Sequence, residues 1–304
     1  MQAIVPASSA AAPRDDSMSL PDDARYGADA RILKSSRVSE RFFPQNAGTF
    51  SPSSSRVIRF DISSTNFTDL SEARLCATLA FQGGNATVSA ILDGGLGGMI
   101  DRISIMNASG QLLERIDDYA LLQTVLTQCS QRARDDADGL WLEENFIADV
   151  NNVPNAAAAA DAPDYMLQPG VNERTRDLCH KLHGAWFQTH KKKLLPPGVA
   201  FKVEIELVSN ANQCLQVKDT NALTSFATFQ LNDVYIDIPS VKIMSQAFED
   251  STARLLSRGW SWTGSTYRRY SFTTTGASAA GTQFNIPDKS LALTGLIAIG
   301  RTTN

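Results

Sequence analysis

The clearest pattern in the chain is an alternation of apolar and charged residues between positions 199 and 207. The apolar positions are Val199, Phe201, Val203, Ile205 and Leu207, and the charged ones are Lys202, Glu204 and Glu206. Successive strand side chains point to opposite faces, so this segment is predicted to be a strand with one face on a core and one in water. Such strands are typical of antiparallel sheets. Pro196, Pro197 and Gly198 cannot join a central ladder and fix where the strand begins.

Similar alternations predict further strands elsewhere in the chain. They cover Ile58–Ile62, Ala73–Phe81, Met99–Met106 and Phe226–Ile238. In the last of these, the apolar residues change parity between Leu231 and Val234. An extra residue near Asn232 and Asp233 is therefore predicted to form a bulge, and Pro239 is predicted to end the strand. Together the strands indicate an antiparallel β-sandwich.

One long amphipathic helix is predicted in the N-terminal half, over Gln111–Gln128. Its apolar residues recur at steps of three or four and are Leu112, Ile116, Tyr119, Leu122 and Leu126. This stripe favours packing on a sheet edge or on another subunit over a ligand-binding role. A second candidate helix covers Leu140–Phe146.

Three segments follow from these patterns. Residues 1–50 are rich in Ala, Ser, Pro and Asp, so we expect either an unstructured tail or an arm that orders on a neighbouring subunit. Residues 51–240 form the β domain, in which Ser130–His190 is a long inserted excursion between strands. Residues 241–304 begin with a helical or irregular bridge over Met244–Leu256.

After this bridge the pattern predicts two or three more strands. They involve Trp260–Trp262, Tyr267–Thr273 and Asn285–Ile299. About sixty residues are too few for a second sandwich of ordinary size. The tail therefore joins the first domain, completes itself on a neighbour or belongs to a longer precursor.

Composition narrows the function classes. The 304 residues carry a formal net charge of -4 and no basic stripe, which argues against direct nucleic-acid binding. The four cysteines, Cys76, Cys129, Cys179 and Cys214, form no C-x-x-C pair, so free thiols in a reducing compartment are expected. The beginning of the chain does not resemble a signal peptide, and Leu291–Ile299 is too short to span a bilayer.

The candidate chemical motifs all lack a necessary part. The glycine-rich Asp93–Gly98 is not followed by the Lys-Ser or Lys-Thr pair and the helix that a phosphate loop requires, so close backbone approach is the better interpretation. His180, His183 and His190 have no second ligand cluster at zinc-finger spacing. Lys191–Lys193 is expected to be a solvated strand entry, with contact to anionic lipid or nucleic acid as the alternative. Gly259–Thr263 lacks the last glycine of a nucleophile elbow. We therefore predict no catalytic residue, no metal ligand and no cofactor.

Four stretches carry a resemblance to a known family. They are Gly98–Ile105, Gly110–Leu122, the Leu195–Gly198 turn with its alternating strand, and Leu231–Ile238. In this order they resemble the first jelly roll of viral major capsid proteins of the double jelly-roll lineage, which includes adenoviruses, polinton-like viruses and tailless membrane-containing phages. Phe284–Pro287 with Ser290 and Leu291 is similar to the start of the second roll in such proteins, although the chain stops soon afterwards.

The resemblance implies an all-β antiparallel jelly roll, followed by a partial or second roll, that forms trimers in an icosahedral shell. The implied partners are copies of the chain, minor capsid proteins and, where the lineage has one, an internal membrane. The implied location is the virion, after assembly inside the host cell. The rival interpretation is a carbohydrate- or receptor-binding β-sandwich of a viral spike or fibre, with Trp260, Trp262, Tyr267 and Tyr270 as a sugar platform. A polysaccharide-cleaving jelly roll is a weaker third hypothesis.

Overall fold

A computed structural model describes most of the β domain and the segment that follows it. The described residues are 35–82, 89–92, 95–129, 175–188, 193–218, 228–259, 261–272 and 286. The predicted helix at Leu140–Phe146 and the predicted strand at Asn285–Ile299, apart from Ile286, lie outside them.

The described residues form twelve strands and two helices. In chain order they are β1 (Ser35–Phe42), β2 (Thr49–Phe50), β3 (Val57–Ile62), β4 (Phe67–Thr68), β5 (Arg74–Gln82), β6 (Ser89–Leu92), β7 (Ile100–Asn107), β8 (Leu112–Asp117), α1 (Tyr119–Cys129), β9 (Arg176–Lys181), β10 (Phe201–Leu207), β11 (Leu215–Lys218), β12 (Thr228–Ile243) and α2 (Gln246–Ser257).

The strands form two main antiparallel sheets and a small ribbon. The first sheet has the order β1-β12-β5-β9, with the short β2 and β4 also paired to β12. The second has the order β3-β10-β7-β8, and β11 pairs with β6 in the ribbon. Eight strands remain when the short β2, β4, β6 and β11 are left out. If these eight are renumbered 1 to 8 in chain order, their order is 1-8-3-6 in the first sheet and 2-7-4-5 in the second. This double Greek-key order defines a jelly roll, so the predicted fold class is confirmed.

The core lies between the two sheets and is built by the predicted alternation. Along β10, Phe201, Val203, Ile205 and Leu207 are buried, while the charged residues between them are only partly buried. On the outer face, Glu204 pairs with Arg59 of β3. Glu206 pairs with both Arg56 and Arg102. The prediction for this strand is confirmed, including the turn before it, where Gly198 has a φ of 80°.

The predicted bulge in β12 is also confirmed. The pairing of β12 with β5 shifts register between Asn232 and Tyr235, and Asp233 has a φ of 48°. The shift returns Val234 to the buried face. A positive φ is tolerated by Asp better than by most side chains, which suits this position.

Pro239 does not end β12, which continues to Ile243. Its carbonyl oxygen accepts a hydrogen bond from the Asp69 N–H at 2.8 Å, on the side where pairing with β5 has already stopped at Asp237. The N–H and C=O of a strand residue point to the same side. Proline has no N–H, but at this position β5 no longer accepts a hydrogen bond from β12. Pairing with β1 on the other side therefore continues unbroken.

The helix predicted over Gln111–Gln128 is wrong in its first half. Residues 112–117 form β8 and pair with β7, and the helix begins only at Tyr119. Along β8, Glu114 and Ile116 are buried and their neighbours are exposed. Asp118, with a φ of 51°, separates the strand from the helix.

The arm predicted over residues 1–50 is not free throughout. Residues 35–42 form β1, which pairs residue by residue with β12, and Phe50 is fully buried. The composition concealed β1 because an edge strand is held mainly by backbone hydrogen bonds and needs few apolar side chains. Residues 1–34 lie outside the described part of the chain.

After β12 the chain forms a helix and then an extended segment. The predicted bridge is helical, as α2, and Phe248 packs edge-on against Phe67 of β4. The strand predicted to begin at Tyr267 is wrong for residues 267–272, which join no described ladder. Among the described residues, neither helix is long and apolar enough to cross a membrane.

Candidate assembly surfaces

The longer connections meet at one end of the roll. The β5–β7 connection contributes β6 and the β10–β12 connection contributes β11, and these two strands pair with each other. Helix α1, in the β8–β9 connection, packs against the Gly97–Met99 turn of the β5–β7 connection. Three connections that are far apart in the sequence therefore form one structured end.

A buried polar network joins α1 to β9. The Tyr119 hydroxyl lies 2.9 Å from His180 Nε2 and accepts a hydrogen bond from the His183 main-chain N–H, also at 2.9 Å. Tyr119 and His180 are both fully buried. The network thus fixes the first turn of the helix to the turn that follows β9.

Gly97 lets the neighbouring turn approach this network. A Cβ at this position would lie 2.7 Å from His180 Cε1 and 2.7 Å from Gln123 Cγ, which is too close for any side chain. Gly95, two residues earlier, has a φ of 61°. The prediction that these glycines serve conformation and close approach is confirmed at both positions.

Glu114 holds the turn after β9 from the other side. Its carboxylate is nearly buried and accepts hydrogen bonds from the N–H groups of Ala185, at 2.8 Å, and Trp186, at 3.4 Å. The Ala185 carbonyl in turn accepts a hydrogen bond from Trp262 Nε1 at 3.1 Å. The Tyr267 hydroxyl donates to Gln188 Oε1 at 3.1 Å. The segment after α2 is therefore fastened to the roll through Trp262 and Tyr267.

The same contacts revise the proposed sugar platform. Trp262 stacks on Trp186 with ring centroids 5.6 Å apart, and Trp186 stacks on Phe201 of β10 at 5.3 Å. Trp262 and Tyr267 are half-buried against the core, and burial followed by the Glu114 charge raises the pKa of Tyr267. These two rings belong to packing, and Trp260 lies outside the described residues.

Several exposed apolar side chains lie on or directly after the edge strands β1 and β8, or beside their ends. Val38 is 49% exposed on β1, with Phe43 directly after this strand and Met244 directly after β12, whose end pairs with the start of β1. Leu112 and Leu113 are 53% and 45% exposed on β8, the edge of the other sheet. The first group extends along the whole length of β1, with Met244 and Phe43 at its opposite ends. We call the two groups the β1 patch and the β8 patch.

Polar groups lie on both faces of the first sheet near its β1 edge. Glu40 is opposite Ile238, whose side chain is fully buried, so Glu40 lies on the inner face. Glu40 of β1 accepts from Asn66 Nδ2 at 2.6 Å and from Ser240 Oγ at 2.8 Å. Burial raises its pKa, but these bonds and one from Ser64 outweigh it, so the pKa lies below its ordinary value. The outer face of the same sheet has a shallow depression lined by Arg37, Val38, Ser39, Asp69, Ser71, Glu72, Arg74, Cys179, Asp237 and Pro239. Its charges are of both signs, so it does not favour an anion or a cation.

Two cysteines that are distant in the sequence meet on this outer face. Cys76 of β5 and Cys179 of β9 are directly opposite each other, with their sulfur atoms 3.1 Å apart. Cys76, Cys179 and Cys214 are free thiols in the structure, whereas the side chain of Cys129 lies outside the described part.

The remaining sequence candidates are placed as follows. His180 and His183 contact each other edge to face at 5.8 Å inside the polar network, and His190 is outside the described residues. In the described part of the chain, no group of three His, Cys, Asp or Glu side chains is placed to hold a metal. Lys193 was predicted to be solvated, yet it is only 2% exposed because it lies in the buried approach to β10. Sequence reasoning missed Tyr119 and Glu114 as network members.

Comparisons with known proteins give matches among solved structures only. No family model and no curated protein matches the chain. It is similar to a chain of the Sputnik virophage structure, with a TM-score of 0.45 and 12% identity over 74% of this chain and 51% of that one. It is similar to the major capsid protein of Faustovirus, with a TM-score of 0.44 and 9% identity over 78% and 58%. For the mavirus major capsid protein the values are 0.41 and 13%, over 82% and 54%.

The chain spans about half the length of the solved structures it matches, 46% for the PBCV-1 VP54 chain. These are distant likenesses, and the fold assignment above stands on the strand order of the chain itself.

Proposed function

We propose that this chain is a structural subunit of a viral capsid that associates with copies of itself. The observation that carries the proposal is the placement of exposed apolar side chains on edge strands of both sheets, in a roll whose interior is filled by its own core. Viral capsid domains are a principal use of the double-sheet jelly roll. Such a subunit acts by association and needs no catalytic group.

The β1 patch suits an interface because it lies on an open strand edge. Among the described residues β1 pairs with β12 alone, so within this part of the chain its other side presents backbone N–H and C=O groups. Val38, Phe43 and Met244 add apolar area beside this edge. Natural proteins usually protect such edges with charged side chains. β1 carries Arg37, Glu40 and Arg41, but the exposed Val38 between them leaves part of the edge apolar. Docking of a second copy would cover the apolar group.

The β8 patch lies on the other sheet and consists of different residues from the β1 patch. A two-fold dimer needs one patch that is complementary to itself, whereas contact between two unlike patches is head-to-tail and closes into a ring when the rotation allows. Two unlike patches therefore favour a ring such as a trimer over a dimer. Trimers would then assemble into an icosahedral shell.

Several parts of the proposal extend beyond the described residues or involve other partners. We propose that residues 1–34 act as an arm on neighbouring subunits and that residues 241–304 begin a second roll of the double jelly-roll kind. The proposed location is the virion, after assembly in the host cell, with minor capsid proteins as further partners and, where present, an internal membrane. No enzymatic activity or cofactor is proposed.

The test measures mass in solution as a function of concentration. Size-exclusion chromatography with light scattering on the purified full chain should show trimers, and electron microscopy should show capsomers or shells. Val38→Lys and Leu112→Lys, one in each patch, should each lower the trimer fraction by about tenfold or more, since each buries a lysine in an apolar contact. Ala253→Lys, on the exposed face of α2, is the matched control and should leave association unchanged.

Two results would count against the proposal. A protein that stays monomeric at high concentration with all variants correctly folded would refute self-association. Specific binding on a glycan array by such a monomer would instead support the carbohydrate-binding module.

A further inference from the structure

The two outer-face cysteines occupy a position that favours a covalent bond between their strands. The Leu182 N–H donates to the Ala73 carbonyl at 3.1 Å, which makes residues 73 and 182 a hydrogen-bonded pair of the β5–β9 ladder. Hydrogen-bonded and non-hydrogen-bonded pairs alternate along an antiparallel ladder. Three steps further, Cys76 and Cys179 therefore form a non-hydrogen-bonded pair.

Non-hydrogen-bonded pairs bring side chains closest together. Their Cα atoms are about 4.5 Å apart, inside the range of about 4.4–6.8 Å found across disulfides. The two sulfur atoms already lie 3.1 Å apart. Bond formation thus requires small side-chain rotations and no movement of either strand.

An oxidant can reach one of the two sulfurs from solvent. Cys179 lines the shallow depression on the outer face, beside Arg74 and Asp237, whereas Cys76 is only 9% exposed. The hydrogen bond to Cys179 and then burial raise the pKa of Cys76 above its ordinary value. Cys179 is therefore the residue that an external disulfide meets first, and Cys76 is the residue that reacts second.

We infer that Cys76 and Cys179 are the site of a reversible intrachain disulfide that forms when the protein passes from a reducing to an oxidising environment. The reaction is thiol–disulfide exchange with a small-molecule disulfide such as oxidised glutathione. This inference rests on the described β5–β9 ladder and does not depend on the proposed capsid function.

The exchange has two steps, and its atoms and electrons balance. The Cys179 thiolate attacks one sulfur of oxidised glutathione, forming a mixed disulfide and releasing one glutathione thiolate. The Cys76 thiolate then attacks the Cys179 sulfur, forming the intrachain bond and releasing the second glutathione thiolate. The two cysteine protons pass to the two released thiolates, so two thiols are oxidised and one external disulfide is reduced.

The bond would fasten the edge of the first sheet. β9 is an edge strand, and β5 is its only partner in the described ladder. The two cysteines are 103 positions apart and enclose both the β5–β7 connection and the long β8–β9 connection. A cross-link closing such a loop restricts the unfolded chain, so the oxidised protein should resist unfolding more than the reduced one.

The test compares the purified full chain after reduction and after incubation with oxidised glutathione. Peptide mass spectrometry without reduction should find Cys76 and Cys179 in one linked pair of peptides, lighter by two hydrogen atoms. The thermal midpoint of the oxidised form should be higher by on the order of 10 °C and return to its starting value on reduction. The rate of ring closure should rise with pH because the Cys76 thiolate performs the second step.

Cys214→Ser is the matched control, because Cys214 is a reduced and buried cysteine outside this pair. It should leave both the linked peptides and the thermal shift intact, whereas Cys179→Ser should abolish both. Since Cys179→Ser could affect folding, the reversible shift of the unmutated protein is the independent readout. Stable glutathionylation of Cys179 without ring closure, or disulfide-linked dimers in place of the intrachain bond, would overturn the inference.

Discussion

Tyr119→Phe tests whether the buried polar network stabilises the roll. The substitution keeps the aromatic ring in place and removes only the hydroxyl, which lies 2.9 Å from both His180 Nε2 and the His183 main-chain nitrogen. The His180 Nε2 atom and the His183 main-chain N–H then each lose this hydrogen-bond partner. Tyr119 and His180 are fully buried, so this part of the network is closed to solvent. The change therefore isolates hydrogen bonding from packing.

The expected loss follows from the number and burial of the groups left behind. An unsatisfied buried donor or acceptor costs about 1–3 kcal/mol. His180 is fully buried and should contribute most, whereas water can reach the half-buried His183 and reduce its share. We expect the free energy of unfolding to fall by about 2 kcal/mol, which lowers the thermal midpoint by about 4–8 °C for a domain of this size.

Urea unfolding followed by circular dichroism measures this loss directly. The midpoint should fall while the denaturant slope stays unchanged, because the surface exposed on unfolding is the same. Tyr267→Phe is the matched control: its hydroxyl makes one bond, to Gln188, at a half-buried site, so the loss should be about 0.5–1 kcal/mol. Equal losses in the two variants, or a loss below about 0.5 kcal/mol for Tyr119→Phe, would refute the reasoning.

Three further predictions concern single positions. Gly97→Ala should destabilise the protein by about 1–3 kcal/mol in urea unfolding, since its Cβ would clash with His180, whereas Gly48→Ala, with nothing within 4 Å, should be close to neutral. Asp233→Val should cost about 1–2 kcal/mol in thermal unfolding, since a β-branched residue tolerates the positive φ of the bulge poorly, and Asp233→Gly should cost less. Because the pKa of Glu40 is lowered, its contribution to the free energy of unfolding is complete above pH 4.5 and is lost as the pH falls through the folded-state pKa, which lies below 4.5. Glu40→Gln should therefore flatten the acid limb of a stability-versus-pH curve, and an unchanged acid limb would contradict this.

Local alternation was enough to predict five of the eight strands of the roll and even the bulge in β12. The burial of every second residue from Phe201 to Leu207 and the parity change between Leu231 and Val234 are properties of a strand's own sequence. The pairing between strands could not be predicted in this way. The opposition of Cys76 and Cys179 depends on a register set between segments 103 positions apart, and no local pattern contains it.

Edge strands and irregular segments were also hard to predict. β1 has little buried area, so its sequence resembles a soluble tail, and its order comes from hydrogen bonds to β12. Tyr267 belongs to an aromatic sequence typical of a strand, but its position is set by contact with Gln188. In both places the decisive interactions come from a distant part of the chain.

The error at β8 shows why the polar network escaped prediction. Leu112 and Ile116 are four residues apart, a spacing that suits one face of a helix and, because four is even, one face of a strand equally well. The residue at position 114 could have distinguished a strand from a helix, because a strand would place it on the same face as positions 112 and 116. A core-facing strand residue is expected to be apolar, but this residue is Glu114. A carboxylate is retained there because it binds the N–H groups of Ala185 and Trp186, so the residue that breaks the strand pattern is the one that fastens the turn after β9. Glu114→Leu would restore the pattern of β8 while removing that attachment, so a local gain in strand propensity would accompany a loosened segment around Trp262.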